Sequence, residues 1–255
     1  MNQKSVTHER LDKVLSNMGY GTRTEVKKFI RDKLVMVDGI IVKDPQMKVD
    51  PITSEIYFGE ERICFSEFIY LLLNKPAGYI SSTYEPGKQT VVDLLPENYI
   101  HFNPFPVGRL DIDTTGLLLL TNDGAFAHQL LSPKKHVEKE YEVRTDKMPD
   151  SAVIEAFQNG VTLGDGYQCK PARLMIREDT GLLYVTITEG KFHQIKRMFA
   201  AFEIQVLALK RIRMGALVLA PSLAPGSIRE LTASELSLLS ASPANNNPVD
   251  SSDPF

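Results

Sequence analysis

The stretch 108–124, GRLDIDTTGLLLLTNDG, joins a polar loop that carries carboxylates to a short, unbroken apolar run. Leu117–Leu120 form the apolar run, and the Asn-Asp-Gly turn signal that follows bounds it. We predict a fully buried strand with an acidic loop at its entrance, where a rigid sheet holds Asp111 beside a cleft. Arg109 precedes that carboxylate by two positions. A short Arg-Leu-Asp sequence is common, so this stretch alone does not distinguish a catalytic carboxylate from a solvated turn.

The composition limits the function classes. A chain of 255 residues with 43% hydrophobic content can bury a substantial core, and a net charge of -3 argues against coating nucleic acid by overall charge. Cys64 and Cys169 have neither CxxC spacing nor a nearby histidine pair, so we predict buried or incidental thiols and no metal site. The N-terminus lacks an apolar signal core and no apolar run approaches about 20 residues. We therefore expect a cytoplasmic monomer without membrane contact.

The N-terminal region has the pattern of two helices and a hairpin. Apolar residues recur at helical spacing from Leu11 to Met18, and Thr22 with Glu25 fits a capping box. The sequence VMVDGIIV indicates two short strands around an Asp-Gly turn. Between Arg10 and Lys43 there are eight basic and four acidic residues, an excess of four positive charges. This excess fits RNA phosphates and equally fits a solvated face.

The order RLDKVL, GTRTEVKKFIR and VMVDGIIV resembles the small RNA-binding domain of the S4 type over residues 8–55. The resemblance implies four RNA-facing cations: Arg10, Arg23, Lys27 and Lys28. Many relatives have a second basic residue where this chain has Thr24.

The chain divides into four predicted parts. Residues 1–59 form the S4-like domain, 60–67 a linker, 68–240 the catalytic domain and 241–255 a disordered tail with almost nothing to bury. The larger domain reads as α+β, with a mixed, mainly antiparallel sheet and peripheral helices. Predicted strands lie at 68–73, 117–120, 137–143, 170–177, 182–188, 205–212 and 216–219.

A second positive stretch follows the predicted strands. Between Lys191 and Arg213 there are six basic residues and one acidic residue, an excess of five. We predict a helix over 191–202 that carries candidate partners for Asp111 or for RNA phosphates. These candidates are Lys191, His193, Lys196 and Arg197. An amphipathic helix with a charged outer face explains the same pattern.

The motifs LLNKPAGYISST, GRLDIDTTGLLLLTNDG, EKEYEV and EGKFHQIKRMFA resemble those of the RsuA-type pseudouridine synthases in order and approximate spacing. The resemblance covers residues 8–240. It implies that Asp111 is the catalytic aspartate and that Arg109 helps to extrude the target base or holds the RNA backbone. It also implies that Tyr141 stacks on the base and that Lys196 is the basic partner of the aspartate.

The implied reaction breaks the N1–C1′ bond of uridine and joins C5 to C1′, and it requires no metal or other cofactor. The carboxylate either attacks C1′ or removes the 2′ proton, and the residues do not choose between these routes. A uridine in structured RNA must be flipped out, which explains an aromatic residue and a cation beside the carboxylate. Two short sequences resemble the small-subunit rRNA branch of the family: Asp113-Thr114-Thr115, and His193-Gln194 with Lys196-Arg197-Met198. The expected partner is therefore small-subunit rRNA or an assembly intermediate of the small ribosomal subunit.

Three alternatives remain open. A synthase of the same family acting on large-subunit rRNA has similar motifs. A non-catalytic rRNA-binding protein of ribosome assembly uses the same basic patches and leaves Asp111 idle. A glycoside hydrolase employs paired carboxylates, for which Asp111 and Asp113 are candidates, but the absence of tryptophan argues against sugar platforms.

Overall fold

The computed structural model describes residues 8–63, 65–132, 135–177 and 180–240. The described residues fall into two compact units, the first within 1–69 and 96–104 and the second within 70–95 and 105–255. The predicted disordered tail and Cys64 lie outside the described residues. Within the described part of the chain, no helix is long and apolar enough to cross a membrane.

The first unit builds a small core from two helices and short strands. The apolar side chains that the sequence placed at helical spacing, including Leu11, Leu15 and Ile30, are fully buried. Its elements are β1 (Glu9–Arg10), α1 (Leu11–Asn17), α2 (Arg23–Arg31), β2 (Val35–Val37), β3 (Ile40–Ile41), β4 (Lys48–Val49), β5 (Ile56–Phe58), β6 (Glu61–Arg62) and α3 (Glu97–Ile100).

Local signals define this unit well. The capping box of Thr22 and Glu25 forms at the start of α2, and β2 pairs with β3 in an antiparallel hairpin. Asp38 and Gly39 have φ angles of 49° and 79°, and a two-residue type I′ hairpin turn requires positive φ at both of these positions. The stretch 60–67, predicted as a linker, begins with β6, which pairs with β5.

The second unit is organised around a large sheet. The strands and helices that the sequence predicted are present, together with short elements that it did not indicate. The elements are β7 (Tyr70–Lys75), a 3-10 helix (Val91–Leu94), β8 (Phe105–Pro106), β9 (Thr115–Thr121), α4 (Gly124–Leu131), β10 (Lys139–Thr145), α5 (Ser151–Asn159), β11 (Arg173–Arg177), β12 (Leu182–Ile187), α6 (Gln194–Ala200), β13 (Val206–Met214), β14 (Leu217–Val218), β15 (Ile228–Glu230) and α7 (Ala233–Ser240).

The sheet runs in the order β11-β12-β10-β13-β9-β7-β15, with β14 on β13 and β8 on β9. Among the strand pairs of the described residues, β13 and β9 are parallel and the others in this sheet are antiparallel. The predicted mixed, mainly antiparallel sheet with peripheral helices is therefore confirmed. Strand β15, which the sequence analysis did not predict, pairs with β7 at one edge.

Strand β9 lies inside the sheet and presents no face to solvent. Leu117–Leu120 are at most 1% exposed, as the apolar run predicted. Side chains of α4 and α7 pack over one face, where Leu119, Phe126 and Leu239 belong to a common core. The loop that carries Asp111 therefore enters a strand that the core holds rigidly.

The helix predicted from Lys191 begins three residues later, at Gln194. His193 takes a left-handed conformation with φ 50°, so the backbone before Gln194 is not helical. The apolar side of the helix is as predicted, since Ile195, Met198 and Phe199 are buried. Lys191 and His193 consequently lie in the loop before α6.

Candidate active site

The loop between β8 and β9 is held by hydrogen bonds to its backbone. Ser81 Oγ accepts from Leu110 N at 3.0 Å and donates to Leu110 O at 2.9 Å. Gly78 N donates to Ile112 O at 2.8 Å, and Thr114 N donates to Asp111 O at 3.1 Å. The position of the Asp111 carboxylate is thus set by a braced loop.

Lys75, at the end of β7, is completely buried beneath this loop. Its Nζ donates to the carbonyl oxygens of Asp111 at 3.1 Å and of Thr114 at 3.0 Å, with Ile112 O at 3.3 Å and Pro76 O at 3.1 Å. Burial lowers the pKa of Lys75 to about 8, although the nearby carboxylates of Asp113 and Asp111 favour its charged form. Lys75 was not predicted as a site residue, although it lies within the motif LLNKPAGYISST.

The structure brings Asp111 together with Lys196 of α6 and with His193 in the loop before this helix. Lys196 Nζ lies 3.3 Å from Asp111 Oδ2, and His193 Nε2 lies 3.5 Å from Asp111 Oδ1. Lys196 Nζ also lies 2.6 Å from Asp113 Oδ1, which is the shorter of its two carboxylate contacts. The pairing of Lys196 with Asp111 that the resemblance implied is present, but Asp113 shares the lysine.

The two carboxylates of the loop have different surroundings. The side chain of Asp111 is 26% exposed and that of Asp113 is 66% exposed. Burial raises the pKa of Asp113, but the hydrogen bond and charge of Lys196 outweigh this effect and hold the pKa below its ordinary value. Only Asp111 of the two lines the neighbouring cavity.

That cavity, here called the catalytic cavity, has a volume of about 70 Å³ and combines the carboxylate with apolar walls. Tyr141 of β10 is 7% exposed and reaches the cavity together with Ile187 and Leu209 from the adjoining strands. Arg109, which is exposed, stands at its edge. The cavity thus combines an aromatic ring, apolar side chains and one carboxylate.

The other candidates on the loop and helix are arranged differently. Lys191 Nζ lies 4.7 Å from the centre of the Tyr167 ring, and Arg197 forms an ion pair with Asp165. Phe192 is 75% exposed and stacks on His193 with ring centroids 3.8 Å apart. Phe192 was not among the predicted site residues, although an aromatic residue between basic positions is a typical signal for nucleic-acid contact.

The positive stretch 191–213 is less available than its charge suggested. Arg211 is only 2% exposed, and Arg213 pairs with Glu140 at 2.7 Å and with Glu138 at 3.0 Å. These two arginines are therefore not free surface cations of a groove. Arg213 and Glu140 are distant in the sequence but meet on the adjacent strands β13 and β10. A count of charges along the chain does not reveal such pairing.

The four predicted RNA-facing cations lie in the first unit, in two different environments. Arg10 binds the buried Asp12 through contacts of 2.7 and 3.0 Å, and Lys27 Nζ lies 4.0 Å from the same carboxylate. Arg23 and Lys28 are exposed on α2. Burial raises the pKa of Asp12, but the hydrogen bond and charge of Arg10 together with the charge of Lys27 outweigh burial, and the pKa is lowered. Arg23 and Lys28 are consequently the more available pair.

In the described ranges, no group of three or more His, Cys, Asp or Glu residues is arranged to hold a metal ion. Cys169, predicted as a buried or incidental thiol, is a buried free thiol.

The chain matches two protein families. Residues 69–201 match RNA pseudouridylate synthase, and residues 9–52 match the S4 domain.

Similar proteins are named for the same activity. An uncharacterized RNA pseudouridine synthase of Bacillus subtilis, YtzG, is 51% identical over 90% of this chain and 98% of its own length. Ribosomal small subunit pseudouridine synthase A of Escherichia coli is 39% identical over 89% of this chain and 98% of its own length. A crystal structure of a pseudouridylate synthase, 38% identical, superposes with a TM-score of 0.63 over 90% of this chain and 99% of that chain.

Proposed function

We propose that this chain, which belongs to the RNA pseudouridylate synthase family, isomerises a specific uridine of small-subunit ribosomal RNA to pseudouridine. The similarity to ribosomal small subunit pseudouridine synthase A supports this choice of RNA. The same-family alternative acts on large-subunit rRNA. The observation that carries the proposal is the placement of Asp111 in a small cavity with Tyr141 and with Lys196 at its carboxylate.

Asp111 is proposed as the catalytic residue. Its carboxylate either attacks C1′ or removes the 2′ proton, and in each case the N1–C1′ bond breaks and uracil leaves with the bonding electrons. After the base rotates, C5 bonds to C1′. In the first route the bond between Asp111 and C1′ breaks and the carboxylate is regenerated, and in the second route the 2′ carbon regains its proton from Asp111. The C5 proton is then released and N1 is protonated. Atoms and charge balance, and no electrons are gained or lost overall.

The neighbouring side chains are proposed to support this step. Lys196, 3.3 Å from Asp111, forms an ion pair with the carboxylate, and the largely buried Tyr141 stacks on the flipped base. Arg109 at the cavity edge contacts the RNA backbone or occupies the space of the extruded base. Lys191, His193 and Arg197 are proposed RNA contacts beside the cavity. Arg10, Arg23, Lys27 and Lys28 are proposed RNA contacts of the S4 domain.

The test uses in-vitro-transcribed small-subunit rRNA labelled with tritium at uridine C5. We expect the wild-type protein to release tritium and Asp111→Asn to lose at least about 10²–10⁴-fold in rate. Glu155→Gln, on the exposed surface of α5, is the matched acid-to-amide control and should retain the wild-type rate. We expect Asp113→Asn to lose far less than Asp111→Asn, because Asp113 does not line the cavity.

Other outcomes separate the alternatives. Release from large-subunit rRNA alone would assign the chain to that substrate within the same family. Tight binding without release from any rRNA or assembling subunit would instead indicate a silent ribosome-assembly protein. Equal losses for Asp111→Asn and Asp113→Asn would contradict the assignment of a single catalytic carboxylate. We also propose that the protein acts as a monomer in the cytoplasm, which sedimentation and cell fractionation test.

A further inference from the structure

A second cavity, of about 320 Å³, lies beside the catalytic cavity and is here called the basic cavity. Its wall includes Lys139 of β10 and Arg211 of β13. It shares four lining residues with the catalytic cavity: Arg109, Tyr141, Gly190 and Lys191. A group held in the basic cavity is therefore an immediate neighbour of a group held at Asp111.

The strand pairing explains why two cations meet at this wall. Tyr141 and Arg211 are direct partners across the antiparallel pair β10 and β13, so their side chains share a face of the sheet. Lys139 precedes Tyr141 by two residues on β10 and lies on that same face. The sheet thus presents an ammonium, a phenol and a guanidinium side by side.

Neither cation has a carboxylate partner in the described part of the chain. Arg211 is 98% buried; its Nε donates to Leu117 O at 2.7 Å, and its Nη2 is buried without a hydrogen-bond partner. Lys139 Nζ donates to Val137 O at 2.9 Å. A buried guanidinium nitrogen without an acceptor is costly, and it points to a ligand that supplies one.

Among the described residues that line the basic cavity, Glu189 is the one carboxylate, and it is already engaged. Glu189 accepts hydrogen bonds from Tyr167 Oη at 2.8 Å, Lys170 N at 2.9 Å and Gln194 Nε2 at 2.7 Å. The remaining lining cations are Arg109, Lys170 and Lys191. Positive charge therefore exceeds negative charge in this cavity by a wide margin.

The pKa of Lys139 is consistent with the excess of positive charge in the basic cavity. Burial lowers the pKa of Lys139 to about 8, and the positive charge of Arg211 contributes in the same direction. An anion in the basic cavity removes this penalty by pairing with both cations. A phosphate fits better than a base carbonyl, because it brings a full negative charge and several acceptor oxygens for an ammonium and a guanidinium.

We propose that the basic cavity binds a phosphate of the RNA strand next to the uridine that enters the catalytic cavity. This phosphate positions the flipped nucleotide by fixing its backbone beside Tyr141, which lines both cavities. The identity of the RNA rests on the proposed function, whereas the capacity of the cavity for phosphate does not.

The first experiment uses inorganic phosphate and the full chain without RNA. Nuclear magnetic resonance of isotope-labelled lysine side chains follows the titration of Lys139, which is assigned by its loss in Lys139→Met. At matched ionic strength, phosphate in place of chloride should raise its titration midpoint by about one pH unit. The exposed Lys147 should show no such shift. An unchanged Lys139 midpoint would overturn the proposal.

The second experiment locates the phosphate on the RNA. In the Asp111→Asn background, single uncharged methylphosphonate linkages are placed on either side of the target uridine. One linkage should weaken binding about tenfold when Lys139 is present and less than about twofold in Lys139→Met. Lys139→Arg should restore the larger effect, and Lys147→Met should keep it. Equal effects with and without Lys139 would refute the contact.

The two proposals fail in different ways. A phosphate-dependent shift of Lys139 without tritium release from any rRNA would leave the cavity assignment standing and reject the proposed function. Tritium release without a phosphate-dependent shift of Lys139 would support the proposed function and reject the phosphate site in the basic cavity. Thermal melts of Lys139→Met and Lys139→Arg verify folding. If Lys139→Met is unstable, the Lys139 signal of the wild type is assigned by its loss in Lys139→Arg instead.

Discussion

Lys75 is a charged residue whose contacts are to backbone carbonyls rather than to carboxylates. The ammonium holds the carbonyls of Asp111 and Thr114 while the Asp111 side chain remains directed toward the cavity. The lysine therefore acts as a positioning residue for the proposed catalyst. A displacement of about 1 Å at a reacting group costs about 10²-fold in rate, which makes such a brace functionally important.

Lys75 also makes stability depend on pH in a defined direction. Its folded-state pKa of about 8 lies below the ordinary value of 10.5. Between these values the unfolded chain binds the proton and the folded protein has released it, so this residue's contribution to the free energy of unfolding rises with pH. We predict a rise across this window that is smaller in Lys75→Met, measured by denaturant unfolding at each pH.

The exposed lysine variant Lys147→Met serves as the control and should follow the wild-type profile. The pKa of Lys139 is also lowered to about 8, so Lys139 contributes to the same rise in the free energy of unfolding with pH. Lys139→Met should therefore remove the part of the rise that comes from Lys139. A Lys75→Met profile parallel to that of the wild type would contradict the assigned pKa. In addition, Lys75→Met should lower kcat for tritium release more than it changes the Kd for RNA.

Single residues differ in how far the sequence reveals them. Asp111, Tyr141 and Lys196 stand in long motifs, so resemblance placed them together before any contact was visible. The burial of Lys75 and Arg211 was not predicted, because the sequence gives a charge but not the carbonyl groups that surround it. The sharing of Lys196 by Asp113 depends on loop geometry at the scale of a few ångströms, which spacing alone does not define.

At the level of elements, the parallel contact of β9 with β13 joins the proposed catalytic loop to the basic cavity. Gly116 pairs with Arg211 in this contact, immediately after the loop. A Cβ atom on Gly116 would lie 2.2 Å from Arg211 O, and the residue has φ +98°. Glycine is required here by both the close approach and the backbone conformation.

We predict that Gly116→Ala destabilises the second unit by about 3 kcal/mol or more, since steric overlap with backbone adds to the strain of a positive φ. Gly124→Ala is the matched control, because a Cβ there meets nothing within 4 Å and α4 begins at that residue. Thermal melts of both variants measure the difference. Similar melting temperatures for the two would show that β9 and β13 separate at little cost.

Elements with local signals were predicted more accurately than those that depend on distant pairing. The capping box at Thr22 and Glu25 and the hairpin turn at Asp38 and Gly39 form as expected, because both are encoded within four residues. The parallel pairing of β9 with β13 was not predicted, since the partners are far apart in the chain. The start of α6 was misplaced because the left-handed His193 has no cap signal in the sequence.

At the scale of the whole molecule, a net charge of -3 coexists with local positive sites. The S4 domain displays the exposed Arg23 and Lys28, and the second unit contains the basic cavity. Binding to RNA phosphates depends on such local clusters, and each neutralised phosphate adds to the salt dependence. The overall charge therefore says little about RNA affinity in this chain.

The division into two units predicts that affinity and folding can be separated. The second unit has its own core, which includes Leu72, Leu119 and Leu239, and the first unit has another built around Leu11 and Ile30. Removing residues 1–60 should therefore weaken RNA binding at least about tenfold at moderate salt while the remaining chain still melts cooperatively. Filter binding and calorimetry give the two quantities.

The segment 96–104 belongs to the first unit, so its packing is lost in the truncated chain and a modest fall in melting temperature is expected. A full-length Arg23→Ala and Lys28→Ala double variant shows which part of the loss in RNA affinity comes from these two charges and which part comes from deleting the N-terminal segment. The double variant should have the melting temperature of the wild type. The magnitude of its slope of log affinity against log salt concentration should fall by about two, because two phosphate contacts are removed. A truncated chain that does not fold would show that the proposed boundary at 60–67 is wrong, and an unchanged salt slope would move the RNA contact away from α2.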